Sequence, residues 1–142
     1  MSDTDLLATI NRNFPPSTQT LGTRLVTGDV DAGWIDMTFS MPERFCDRHG
    51  LNRGLITAML DTSMANTVIY CSRISLSPPT LELKVSFFAA CDSGDYRCRA
   101  RFEYRGRSIA FLSASLYWIS GELPDLEVAR ATSTVMLIPF RG

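Results

Sequence analysis

The sequence predicts one α+β domain in which a single curved antiparallel sheet of about six strands wraps a long central helix, with a short helix at the N-terminus. Three observations carry this reading. The segment from Gly54 to about Cys71 is apolar nearly all round a helical circumference, so it must be enclosed on most sides. From Leu81 onward the apolar residues recur with period two, the signature of consecutive hairpin-connected strands. The chain has 142 residues, enough for one core and too few to require a second domain.

The elements follow in order. Ser2 or Thr4 can cap a helix from about Asp3 to Asn11 with Leu6, Leu7 and Ile10 on one side, ended by Pro15 and Pro16. Residues 1–16 read as an attachment to the domain. Gly22–Asp29 and Gly33–Met41 read as two strands, with Gly33 supplying the turn. In the second, Ile35, Met37, Phe39 and Met41 alternate with Trp34, Asp36, Thr38 and Ser40. Pro42 closes that strand, and Glu43 to Arg53 reads as a polar loop leading into the helix. On the helix, Gly54, Thr57, Ala58, Asp61 and Ala65 share a small face that bears one charge.

After Ser77-Pro78-Pro79, Leu81, Leu83, Val85, Phe87 and Ala89 alternate with Glu82, Lys84 and Ser86. Beyond Asp92-Ser93-Gly94-Asp95, Tyr96 to Tyr104 alternates with Arg97, Arg99, Arg101 and Glu103, the clearest strand in the chain. A strand from Ser108 to Ser120, a loop through Gly121 and Pro124, and a strand from about Val128 to Ile138 complete the order. Wrapping one helix leaves the sheet a second face, which carries Phe111, Tyr117 and Ile119. Two free edges and that apolar face point to a homo-oligomer, a dimer or a dimer of dimers.

Composition bounds the function. Hydrophobic residues make up 45% and charged residues 20%, the balance of a globular protein. A net charge of −1 supplies no positive field, so no nucleic-acid partner is expected. Leu55–Cys71 is interrupted by Asp61, Thr62, Ser63 and Asn66 and falls short of a membrane span, so no membrane partner is expected. Met1–Asp5 is acidic where a leader would be basic, which suggests a cytoplasmic protein. Cys46, Cys71, Cys91 and Cys98 form no C-x-x-C pair and His49 is the single histidine. The thiols read as reduced core residues, with neither a metal nor a cofactor expected.

Two places could carry chemistry. An ionised carboxylate on an otherwise apolar helix costs several kcal/mol unless partners satisfy it. Asp61 is therefore either a group on a wet seam or cap, or a general base or nucleophile in a cleft. Asn52-Arg53-Gly54 sits at the helix N-terminus, where unpaired N–H groups and the positive dipole end can polarise a carbonyl. A glycine there is equally explained as a simple turn or cap.

The stretch from Gly50 through Asn52-Arg53-Gly54 and Leu55-Ile56-Thr57-Ala58-Met59-Leu60-Asp61 to Met64 resembles the helix motif of hot-dog-fold acyl-CoA thioesterases of the phenylacetate-degradation (PaaI-like) type. That motif runs H-G-G, six mostly apolar residues, then an aspartate. Thr80 to Ala90 resembles the family's first strand after the helix. The resemblance runs from about Leu21 to the C-terminus. It implies hydrolysis of acyl-CoA thioesters at the seam of a dimer, with Asp61 as base or nucleophile and the Arg53 and Gly54 amides polarising the carbonyl. It also implies a water-positioning hydroxyl at Thr80, contributed by the partner subunit, with coenzyme A present only as part of the substrate.

This sequence departs from the motif at two positions, with Asn52 in place of the histidine and Arg53 in place of the first glycine. The family's upstream asparagine falls on Cys46, or on Asp47 with a one-residue shift. Asp47, His49 and Asn52 are thus candidates for substrate contact, His49 being otherwise a solvent-facing loop residue. Arg97, Arg99 and Arg101 line one strand face, either as a solvated surface or, for Arg97 and Arg99, as contacts to the nucleotide phosphates of coenzyme A. Two other functions stay open: an acyl-binding or assembly subunit without turnover, and a dehydratase, for which His49 is the available histidine.

Overall fold

The computed structural model describes residues 1–120 and 125–141. Helix α1 (Asp3–Arg12) starts at Ser2, whose Oγ accepts from the Asp5 N–H at 3.1 Å while the Asp5 carboxylate accepts from the Ser2 N–H, a capping box. Its apolar side buries Leu6 and Ile10. The expectation that Pro15 and Pro16 merely stop this helix is corrected: α1 has ended at Arg12, and Pro16 opens a second short helix, α2 (Pro16–Thr20). Proline fits a first helical turn because its fixed φ is helical and its missing N–H would have no partner there.

Strands β1 (Arg24–Asp29) and β2 (Trp34–Met41) form a hairpin. The Asn11 side chain covers part of the outer edge of β1, donating to the Leu25 carbonyl at 2.9 Å and accepting from the Leu25 N–H at 2.8 Å. The expected loop after Pro42 contains a 3-10 turn (Glu43–Phe45) and a miniature hairpin, β3 (Cys46–Asp47) with β4 (Gly50–Leu51), directly before the central helix α3 (Arg53–Cys71). Then come β5 (Leu76–Ser77), β6 (Thr80–Phe87), β7 (Gly94–Arg105), β8 (Ile109–Trp118), β9 (Leu126–Met136) and β10 (Ile138–Pro139). The predicted loop through Gly121 and Pro124 lies outside the described residues.

Among the described residues, six strands form one antiparallel sheet in the order β1-β2-β7-β8-β9-β6. The sheet curls round α3. Met59, Leu60, Met64 and Val68 are fully enclosed, each apolar side chain contributing about 1.5–3 kcal/mol by its burial. The helix also buries hydroxyls, and these are satisfied locally: Ser63 Oγ donates to the Met59 carbonyl and Thr67 Oγ1 to the Ser63 carbonyl, both at 2.8 Å. Thr57, Ala58, Asp61, Thr62 and Ala65 are only half-buried, which leaves α3 one partly open face. No described helix is long and apolar enough to cross a membrane.

The outer face of the sheet divides in two. Phe111, Ile109, Met136 and Tyr104 are exposed at one end, with Tyr104 and Phe111 rings 5.5 Å apart. The middle is polar, and Tyr117 lies half-buried with the Arg97 guanidinium 4.8 Å above its ring.

Candidate active site

The start of α3 is held by the β3–β4 hairpin. The Asp47 carboxylate accepts from the His49 N–H at 2.7 Å, which tightens the turn. Gly50 follows with φ +104°, and a Cβ there would collide with the Cys91 carbonyl oxygen, so glycine is required. The Leu51 N–H donates to that same oxygen at 2.8 Å, and the Asn52 N–H donates to the Phe45 carbonyl at 3.1 Å. These bonds set the direction in which the helix begins.

Asn52 is the N-cap. Its Oδ1 accepts from the Gly54 N–H at 2.8 Å, so that amide is occupied and the expected pair of carbonyl polarisers narrows to one. Among the described residues, nothing accepts from the Arg53 N–H. Arg53 has no positive φ, so the position does not need a glycine. Its guanidinium stacks over the Phe87 ring at 5.0 Å. A cavity of about 540 Å³ at this helix end is lined by Asp47, His49, Asn52 and Arg53 together with Phe87 and Cys91. The structure thus gathers four of the predicted site residues.

Asp61 lies eight residues further on, about 12 Å along the helix axis. Its Oδ1 accepts from the Thr80 hydroxyl at 2.9 Å. The sequence reading took this hydroxyl from a partner subunit, whereas here it belongs to the same chain, because β5 and Ser77-Pro78-Pro79 return the chain beside α3 before β6 begins. Oδ2 has no protein partner among the described residues. Asp61 also lines a second cavity, of about 560 Å³, between α3 and the N-terminal helices. Nothing in the sequence pattern had placed that cavity; the apolar side of the first helix was its only trace.

Arg97 and Arg99 lie elsewhere. Cys98 and Ala100 point inward and are fully buried, so their neighbours project from the face of the sheet away from α3. Arg99 makes a two-pronged pair with Asp36 at 2.8 Å and stacks on Trp34, and this bonding raises its pKa. Arg97 approaches Asp125 at 3.5 Å, Arg101 pairs with Glu103 and Arg130 with Glu127. Four arginines thus meet four carboxylates. Of the thiols, burial pushes Cys71 up to about 11 and Cys98 up to about 12.

No family profile and no curated protein matches the sequence. Solved structures do. The chain is similar to a phenylacetic acid degradation-related protein from Ralstonia eutropha, with 28% identity, 92% of this chain and 98% of that one covered, and a TM-score of 0.81. It is similar to a thioesterase family protein from Silicibacter pomeroyi, with 20% identity, coverage of 98% and 100%, and a TM-score of 0.83. The PaaI protein of the E. coli phenylacetic acid degradation operon superposes with a TM-score of 0.80 at 14% identity, covering 96% of this chain and 94% of that one. The chain has the hot-dog fold of the thioesterase superfamily. Its resemblance is to the PaaI-like type.

Proposed function

We propose that this protein hydrolyses acyl-CoA thioesters, with Asp61 as the catalytic carboxylate. The observation that carries the reading is the Thr80–Asp61 hydrogen bond, on the one open face of an otherwise enclosed helix and beside a cavity. Thr80 orients the carboxylate through Oδ1 and leaves Oδ2 to receive a proton from water. The resulting hydroxide attacks the thioester carbon, the C–S bond breaks, and the sulfur leaves as a thiol with the proton returned from Asp61. The products are a free acid and coenzyme A.

The tetrahedral intermediate needs a donor about 3 Å from its oxygen, and the unpaired Arg53 N–H suits it. One chain cannot supply both groups to one carbon, since they stand about 12 Å apart along the helix. Two copies related by a two-fold axis can, with Asp61 of one facing the α3 N-terminus of the other. The dimer is therefore part of this reading. Arg97 and Arg99 are not needed for this step, since they lie on the face of the sheet away from α3, each beside a carboxylate.

The test is release of thiol from a panel of acyl-CoAs. Asp61→Asn lowers kcat by about 10²–10⁴-fold while the variant stays folded. The amide is tested separately. Asn52 has φ −58° and ψ 128°, which suits a residue before proline, and Arg53 is the first helical residue, so Arg53→Pro removes the N–H and keeps the helix. Arg53→Pro loses about 10²–10³-fold and Arg53→Ala retains most activity. Turnover of no thioester by the wild type favours an acyl-binding subunit instead.

A further inference from the structure

We propose that Arg53 is a specificity residue whose guanidinium binds the terminal carboxylate of a short dicarboxylic acyl group. This rests on the thioesterase reading and adds to it the charge of the acyl group and the side chain that recognises it.

Arg53 stands where the motif that this chain resembles has a glycine. A glycine offers its N–H alone, whereas Arg53 offers the N–H and a cation on one residue. The guanidinium lies 5.0 Å over the Phe87 ring, and both residues line the cavity of about 540 Å³ at the start of α3. Stacking occupies a face of the planar group and leaves the N–H donors on its rim for another acceptor. Among the described residues Arg53 pairs with no carboxylate, whereas Arg73, Arg97, Arg99, Arg101 and Arg130 each do. Asp47 shares the cavity, but its carboxylate closes the hairpin turn on the His49 N–H at 2.7 Å. Among the described residues lining this cavity, Arg53 is the one lysine or arginine.

Reach then identifies the anion. With the thioester oxygen on the Arg53 N–H, the guanidinium is no further away than one arginine side chain extends. The phosphates of coenzyme A lie beyond the whole pantetheine arm, which is longer than that. The terminal carboxylate of a succinyl or glutaryl group falls within it. Shape agrees with distance, because a carboxylate accepts two parallel N–H bonds from one guanidinium and a methyl terminus accepts none. An uncharged acyl group therefore engages the N–H of Arg53 alone, and a dicarboxylic one engages the guanidinium as well.

The experiment measures kcat/KM of the full chain for glutaryl and hexanoyl thioesters, which are similar in length. Each is presented on coenzyme A and on N-acetylcysteamine, a carrier without phosphate. Wild type favours glutaryl over hexanoyl by about tenfold or more on both carriers, the worth of a charge-assisted hydrogen bond. Arg53→Gln lowers that ratio about tenfold or more, and Arg53→Lys, which keeps the charge without the fork, falls between. Circular dichroism confirms that each variant is folded; should Arg53→Gln not be, Arg53→Ala makes the same comparison. Hexanoyl turned over as well as glutaryl by wild type, or a ratio unmoved in the folded variant, overturns the proposal while leaving hydrolysis at Asp61 standing. A loss shared equally by both acyl groups on coenzyme A and absent on N-acetylcysteamine also overturns it, since the guanidinium then serves a phosphate. If wild type hydrolyses nothing, the hydrolase reading fails and titration calorimetry with glutaryl-CoA and hexanoyl-CoA decides. Glutaryl-CoA binding weakened about tenfold by Arg53→Gln, with hexanoyl-CoA less affected, supports the proposal. Equal effects on the two, or no binding, overturn it.

Discussion

Asp61 keeps one oxygen on the Thr80 hydroxyl and the other without a partner among the described residues, so the proposed mechanism puts orientation and proton transfer on different atoms of one carboxylate. Thr80→Val removes a charge-assisted hydrogen bond and lowers kcat/KM about tenfold, whereas Thr80→Ser preserves activity, as steady-state kinetics will register. The thiols offer a second measurement at this scale. With its pKa near 12, Cys98 is about 10⁻⁴ thiolate at pH 8, so iodoacetamide spares it in the native protein and modifies it in urea, as peptide mass spectrometry will resolve. The sign for stability follows. A folded-state pKa raised from 9.0 means that the unfolded chain ionises first, so this thiol destabilises the fold as pH rises from about 9 to about 12. The sequence showed Asp61 as the one acid on an apolar helix, but it could not show Thr80 as its own chain's partner, nineteen residues away across a turn.

At the scale of elements, the long alternations proved informative and the short elements did not. Strand β7 was visible because twelve residues repeat with period two. The β3–β4 hairpin has two residues per strand, too few for any period, and its chemistry lies in Gly50 and in backbone bonds to Cys91. Helix α2 has no buried residue and hence no apolar stripe to reveal it. The hairpin nevertheless orients the N-terminus of α3, which Asn52 then caps. Asn52→Ala removes that cap and destabilises the protein by about 1 kcal/mol, measured by urea denaturation. Asn52→Asp retains the acceptor and the stability.

At the scale of the whole molecule, the distance between Asp61 and the Arg53 amide means that the proposed mechanism needs two chains. Mixing Asp61→Asn with Arg53→Pro under conditions of subunit exchange tests this. A heterodimer then carries one site with both lesions and one with neither, so about a quarter of the wild-type sites return. No recovery from two inactive variants that demonstrably exchange would place each site within a single chain. Exposed Leu81 at the start of β6, and Phe88 just beyond its end, mark a sheet edge with an unpaired side, a suitable surface for that association.

The sequence by itself determined the elements that repeat and the character of α3, because side-chain period and the cost of burying charge are local properties of a chain. It thereby determined the wrapped-helix fold and singled out Asp61. The tertiary structure alone decided that Thr80 meets Asp61 and that the Gly54 amide is occupied while the Arg53 amide is open. It alone placed Arg97 and Arg99 on the far side of the sheet and made an N-terminal attachment the wall of a cavity. Each of these depends on how the closing sheet brings distant residues together, and no local pattern encodes that closure.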